Sequence, residues 1–180
     1  MNSIFGSPEL LETLKEHMQL EQYAKGDIIE NAGDVSKRLF FIKKGIIRVF
    51  YRTAGREICC HFAKENEILT GIDSFFTGKP TIYTSQALET TECYSLTKNN
   101  LDWVFDHVEG MDRYGRIFMI EAYSELVERY NSIVSMSAEE RYEDFMNKHS
   151  DLLNRVPLGY ISSYLGMKQE TLSRIRSKQN

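Results

Sequence analysis

Cysteine and proline are scarce in this chain, three of each among 180 residues. Cys59 and Cys60 are adjacent and Cys93 stands apart. This odd set has no C-x-x-C or Cys/His spacing, so it excludes a disulfide framework and offers no zinc or iron–sulfur ligands. The three read as small apolar residues in strands. No run approaches the roughly 18 apolar residues of a membrane span, so no membrane partner is expected. The opening MNSIFGSPELLETLKEH lacks a basic stretch followed by an apolar core, and the expectation is a cytoplasmic protein without a secretory leader. Enzyme signatures are missing too: no nucleophile–base pair, metal spacing, P-loop or G-x-G-x-x-G, so the chain is not expected to be an enzyme. Hydrophobic residues at 42% and charged residues at 27% exclude disordered and collagen-like classes.

What is present changes period along the chain. Ser7-Pro8 places a cap before proline at a first helical position, and Leu10, Leu11, Leu14 and Met18 follow at helical spacing. From about residue 19 to 96 the segments become short and rich in Ile, Phe, Tyr, Val, Thr and Cys: GDIIEN, RLFFIKK, GIIRVFYRT, REICCHFA, NEILTG, TIYTSQALE and ECYSLT. Turn signals at Lys25-Gly26-Asp27, Ala32-Gly33-Asp34, Gly45 and Gly78-Lys79-Pro80 separate them, and Thr53-Ala54-Gly55 marks a hairpin. Many short strands predict a small antiparallel barrel, roll or sandwich.

Helix returns near residue 97. Thr97 caps KNNLDWVFDHV, with Leu101, Val104, Phe105 and Val108 on one face and Gly110 at its end. A second, longer helix is predicted over 111–135, where no glycine follows Gly115 and no proline occurs. At about 25 residues it spans roughly 37 Å, more than a small barrel can cover. Its surplus apolar face predicts packing on a second copy, the alternative being packing on its own chain. Ser137-Ala138-Glu139-Glu140 then has the form of a capping box.

The last segment, VPLGYISSYLGMKQETLSRIRSK, reads as two short helices about a turn. Ile161, Tyr164 and Leu165 face inward on the first, and Leu172 and Ile175 on the second. Gly166 sits at the junction, where a positive φ is needed. Ser162 is small where the helices cross, the pattern of a helix-turn-helix. Lys168, Gln169, Glu170, Thr171, Ser173, Arg174 and Lys178 remain outward. Arg can pair with guanine, Gln with adenine and Glu with cytosine, while Lys and Ser can hold phosphates. The local charge agrees: from residue 155 onward five basic side chains face Glu170 alone, a net +4, within a chain of net −4. An ordinary terminal helical hairpin with a polar face is the alternative.

At this point the chain resembles the Crp/Fnr family of bacterial transcription regulators. GMKQETLSRIR is similar to that family's recognition helix, with Glu170 and Arg174 at its base-reading positions and Gln169 where Arg usually stands. LFFIKKGIIRVFYRTAGRE resembles the strand, glycine and hairpin of its β-roll. The resemblance implies an α+β fold: a cyclic-nucleotide-binding-like antiparallel β-roll at 1–109, a dimerisation helix at 110–135 and a helix-turn-helix domain at 136–180. The wing is expected to be reduced or absent, because His149 to Pro157 leaves little room for a hairpin. It also implies a homodimer bound to double-stranded DNA, with RNA polymerase as a further partner. Tyr114, Ile117, Phe118, Glu121, Leu126 and Tyr130 are expected on the dimer helix face.

The family's cyclic-AMP binders hold ribose with a Glu and the cyclic phosphate with Arg-Ser. ILTGIDSFFTGKPTIYTSQ aligns with that cassette and places Gly71 at the Glu, Thr81 at the Arg and Ile82 at the Ser. Thr-Ile supplies no charge for a phosphate, so cyclic AMP is not expected to bind in the usual way. No cofactor is assigned. A pocket for an unidentified small-molecule effector would be lined by Leu69, Thr70, Gly71, Ile72, Phe75, Thr81, Ile82 and Tyr83, or the roll is an empty scaffold. The second functional expectation is a small-ligand sensor acting through protein contacts, with a vestigial DNA-binding head.

Overall fold

The computed structural model describes residues 14–179. The cap expected at Ser7-Pro8 lies outside them. Two compact units result: residues up to Arg52 together with Cys60–Gly115, and Thr53–Cys59 together with Arg116 onward.

The strands are β1 (Gln19–Tyr23), β2 (Ile28–Glu30), β3 (Arg38–Lys44), β4 (Ile47–Thr53), β5 (Arg56–Ala63), β6 (Ile68–Leu69), β7 (Thr84–Ala87) and β8 (Thr91–Thr97). They form two four-stranded sheets, ordered β1-β8-β3-β6 and β2-β7-β4-β5. The pairings of β8 with β1 and β3, and of β7 with β2 and β4, are antiparallel. Side chains from both sheets, Phe40, Ile42, Ile47, Ala63, Leu69 and Cys93, close into one buried cluster. This follows from strand alternation, which sends every second side chain to the same face. Burial of Cys93 pushes its thiol up to about 12, in keeping with an inert core cysteine.

The turn from β3 to β4 depends on Gly45. Its φ is +104°, and a Cβ there would lie 2.4 Å from Thr91 Oγ1. Only glycine meets both conditions. At the β4–β5 hairpin Ala54 (φ 47°) and Gly55 (φ 75°) are both left-handed, as a two-residue type I′ turn requires.

Helix α1 (Ile72–Thr77) interrupts the strands between β6 and β7, and α2 (Lys98–His107) follows β8. The Thr97 hydroxyl accepts from the Asn100 N–H and caps α2 as expected. Helix α2 ends at Val108, and Gly110 stands in the turn beyond it at φ 78°.

Helix α3 (Met111–Ser135) is 25 residues long. It leads to α4 (Ala138–His149), a 3-10 turn over Ser150–Asn154, α5 (Leu158–Tyr164) and α6 (Gln169–Gln179). Both bonds of the Ser137–Glu140 capping box are formed. Among the described residues no strand follows Thr97. No described helix is long and apolar enough to cross a membrane.

Candidate nucleic-acid interface and effector loop

The α5–α6 pair is held from beneath. Ile161, Leu165, Leu172 and Ile175 are buried, together with Tyr142, Phe145, Leu152 and Val156. Burying Leu172 and Ile175 fixes the rotation of α6 and sends its other side chains outward. Lys168, Gln169, Glu170, Ser173, Arg174 and Lys178 are exposed, and Thr171 is half-buried. The expected interface residues thus lie on one face of α6, with Lys168 just before its first residue. Gln169 leans back toward α5: its Oε1 lies 3.0 Å from where a Cβ on Gly159 would stand.

The turn between the helices closes on Gly166, φ +64°, with Gly166 N–H donating to Ser163 O at 3.1 Å and Met167 N–H to Ser162 O at 3.0 Å. Ser162 is buried, and its hydroxyl donates to Gly159 O at 2.9 Å.

Two arginines that sequence reasoning passed over satisfy the carbonyls at the end of α5. Arg129 on α3 donates to Tyr164 O at 2.8 Å, and its guanidinium lies 3.9 Å from the Tyr164 ring centroid. Arg141 on α4 donates to Leu165 O at 2.8 Å and to Met136 O at 2.6 Å. Burial raises the Tyr164 phenol above its ordinary value, against a lowering influence from Arg129. Ser163 Oγ accepts from Cys59 N–H at 3.0 Å and donates to Glu57 O at 3.1 Å, tying α5 to the start of β5. In sequence these are a surface charge and a helix serine; no local signal shows them as caps.

Among the described residues, a long apolar face of helix α3 is exposed. Ile120, Tyr123, Val127, Tyr130 and Val134 are exposed and alternate at three- and four-residue spacing. Met119, Leu126 and Ile133 flank them, exposed and seven residues apart. This is the spacing that an a/d repeat has. Of the residues expected on this face, Ile117, Leu126 and Tyr130 are exposed, whereas Phe118 and Glu121 are half-buried. Tyr114 instead packs beside Val104 and Met111, because it lies in the first turn of α3.

The effector-loop residues are more scattered than expected. Leu69 belongs to the interior of the roll, and Phe75 is buried with Leu39, Leu96 and Leu101 instead of lining an opening. Thr70 donates to Arg38 O at 3.1 Å. Gly71 precedes α1, and a Cβ there would lie 2.5 Å from Ser36 Oγ. Ser74 is buried, accepts from Ser36 N–H at 2.9 Å and donates to Lys79 O. Thr81 is buried, Ile82 is 63% exposed, and Tyr83 meets Tyr51 edge-on at 6.1 Å. Ile72 and Tyr83 are half-buried. These residues supply no cation where a cyclic phosphate would sit in the family's cassette, so they do not fit that group.

Residues 20–107 match the cyclic nucleotide-binding domain family. Among proteins of curated function, none matches the sequence significantly. Solved structures do match. The c-di-GMP responsive global regulator CLP of Xanthomonas campestris is 13% identical with a TM-score of 0.76, over 96% of this chain and 91% of that one. FixK2 of Bradyrhizobium japonicum is 17% identical with a TM-score of 0.73, over 89% of this chain and 83% of that one. A protein of Eubacterium rectale described as a Crp/Fnr-family transcriptional regulator is 18% identical, TM-score 0.71, over 93% and 81%. At these identities the likeness establishes the fold. Residues 20–107 thus match the cyclic nucleotide-binding domain family, in a chain whose fold is that of the Crp/Fnr transcription regulators.

Proposed function

We propose that the chain is a cytoplasmic, homodimeric, sequence-specific DNA-binding regulator of transcription. The observation that carries this reading is α6: Leu172 and Ile175 are buried while Glu170, Ser173, Arg174 and Lys178 stand exposed on the opposite face. Glu170 and Arg174 would read base edges, and Lys168, Ser173 and Lys178 would hold phosphates. The uncovered seam on α3 supports a parallel pairing with a second copy. Two α6 helices would then enter successive major grooves about 34 Å apart on a near-palindromic site. A contact with RNA polymerase belongs to this reading. It assigns no catalytic residue.

The test is selection of random duplex DNA by the purified chain at low salt. The reading expects one enriched, roughly palindromic motif whose binding is lost in Arg174→Ala. No enrichment would overturn it.

A second reading, a small-ligand sensor with a vestigial DNA-binding head, draws on one observation. Gln169 stands in place of the family's Arg and leans toward Gly159 instead of projecting forward. It expects Arg174→Ala to leave the regulatory output in cells unchanged.

A further inference from the structure

The segment from Gly71 to Tyr83 is tied down by the protein's own groups. Thr81 is the centre of it. Its N–H donates to Asp34 O at 2.8 Å, and its carbonyl accepts from Gly33 N–H at 2.8 Å. Its hydroxyl accepts from the Tyr83 N–H at 3.1 Å. The backbone donors of residues 81 and 83 are therefore already used. Below them, Ser74 binds both Ser36 N–H and Lys79 O, which ties the middle of α1 to the β2–β3 connection and to the residue after the α1 cap.

A cyclic phosphate entering such a loop needs a cation and free donors to replace its water. Residues 81 and 82 offer no cation, and Lys79, the basic side chain of the segment, is exposed. Thr81 is neutral and 3% exposed, and Ile82 adds only hydrocarbon. Arg38 is engaged by Glu21 at 2.6 Å, and in the β2–β3 connection Lys37 is exposed while Asp34 adds a carboxylate close in sequence to Glu30 of β2. The Glu30 carboxylate takes the Ser36 hydroxyl at 3.4 Å. At Gly71 any side chain would have to displace Ser36, since even a Cβ would stand 2.5 Å from its hydroxyl.

We propose that this loop is closed by its own hydrogen bonds in place of a ligand, and that the domain binds no cyclic nucleotide despite matching the cyclic nucleotide-binding domain family. The inference concerns the roll alone and stands whether or not the chain binds DNA.

The test uses the full chain without DNA. Calorimetric titration with cyclic AMP, cyclic GMP and cyclic di-GMP, each to about 1 mM, is expected to give no binding isotherm. Hydrogen exchange is expected to find the Thr81 and Tyr83 amides already protected, with no change on adding the nucleotides. Thr81→Val keeps the shape and removes the hydroxyl, so Tyr83 should then exchange at least about tenfold faster while the residue 81 amide stays protected. Saturable binding of any of the three nucleotides would overturn the proposal. So would unprotected Thr81 and Tyr83 amides in the wild-type chain, even without nucleotide binding.

Discussion

Arg129 meets Tyr164 in two ways: its Nη2 donates to the Tyr164 carbonyl at 2.8 Å, and its guanidinium carbon lies 3.9 Å from the ring centroid. A charged donor thus takes up a carbonyl left unpaired at the C-terminal end of α5, and the ring holds the donor in place. Because α5 is the helix against which α6 packs, Arg129 sets the platform for the exposed face without belonging to it.

Arg129→Met is expected to destabilise the C-terminal helices by about 1–3 kcal/mol, the cost of one charged hydrogen bond and one ring interaction. Arg129→Lys should recover less than half, since an ammonium cannot stack flat on the phenol while donating sideways. Urea denaturation followed by hydrogen exchange of α5 and α6 measures both. Equal stability of the three proteins would remove Arg129 from this role.

Gly45→Ala is expected to lower the stability of the roll by about 2 kcal/mol or more, because it adds left-handed strain and a clash at the same position. Gly55 is the control, with a positive φ but nothing within 4 Å of its added Cβ, so Gly55→Ala should cost about 1 kcal/mol. Thermal or urea unfolding of the pair distinguishes backbone strain from steric clash.

Glu30 and Glu21 should shift stability in opposite directions with pH. Burial raises the Glu30 carboxyl above its ordinary value, despite the Ser36 hydroxyl and Arg38. The folded state then holds a proton that the unfolded state has released. Stability is lost as pH climbs from the ordinary carboxylate range through the raised value. Glu30→Gln cannot ionise, so its stability relative to wild type should improve from pH 4 to pH 7. For Glu21, burial is outweighed by hydrogen bonds from Ser95, Tyr23 and Arg38, and its carboxyl is lowered. Its contribution is present above the ordinary value and is lost as pH falls through the depressed one, so Glu21→Gln should be the less stable protein at pH 7 and approach wild type in acid. Denaturation curves at the two pH values test both signs.

Val127→Asp places a charge in the middle of the α3 seam, where the side chain is already exposed in the single chain. The expected result is a monomer by sedimentation with an unchanged far-ultraviolet spectrum. A dimer that survives Val127→Asp and Tyr130→Asp together would mean that the copies pair elsewhere.

Much of the fold could be read from local signals. The Ser137-x-x-Glu140 spacing, the Thr97 cap, the Ala54-Gly55 turn and the positive φ of Gly166 each have a cause within a few residues, and each is present. The polar face of α6 was legible for the same reason, since Leu172 and Ile175 leave only one way to orient it. Pairings distant in sequence were not legible. Nothing near Gly71 announces Ser36, and nothing near Tyr164 announces Arg129. Strand β1 was also hidden, because QLEQY is polar and its residues are mostly exposed. Helix α3 failed differently. Ile117, Phe118, Met119 and Ile120 are consecutive, so the sequence offers apolar groups on nearly every side. The face that stays exposed runs through Ile120 and Tyr123, which periodicity alone did not select.

The most direct measurement is DNA affinity across a salt series for wild type, Glu170→Ala and Lys178→Ala on the selected site and on an unrelated duplex. The account predicts that Glu170→Ala narrows the gap between the two duplexes while leaving the salt slope unchanged. Lys178→Ala should weaken both duplexes alike and reduce the slope by about 0.9 for each phosphate that is no longer neutralised. Wild-type protein that binds both duplexes equally at every salt concentration, with neither substitution altering the result, would contradict it.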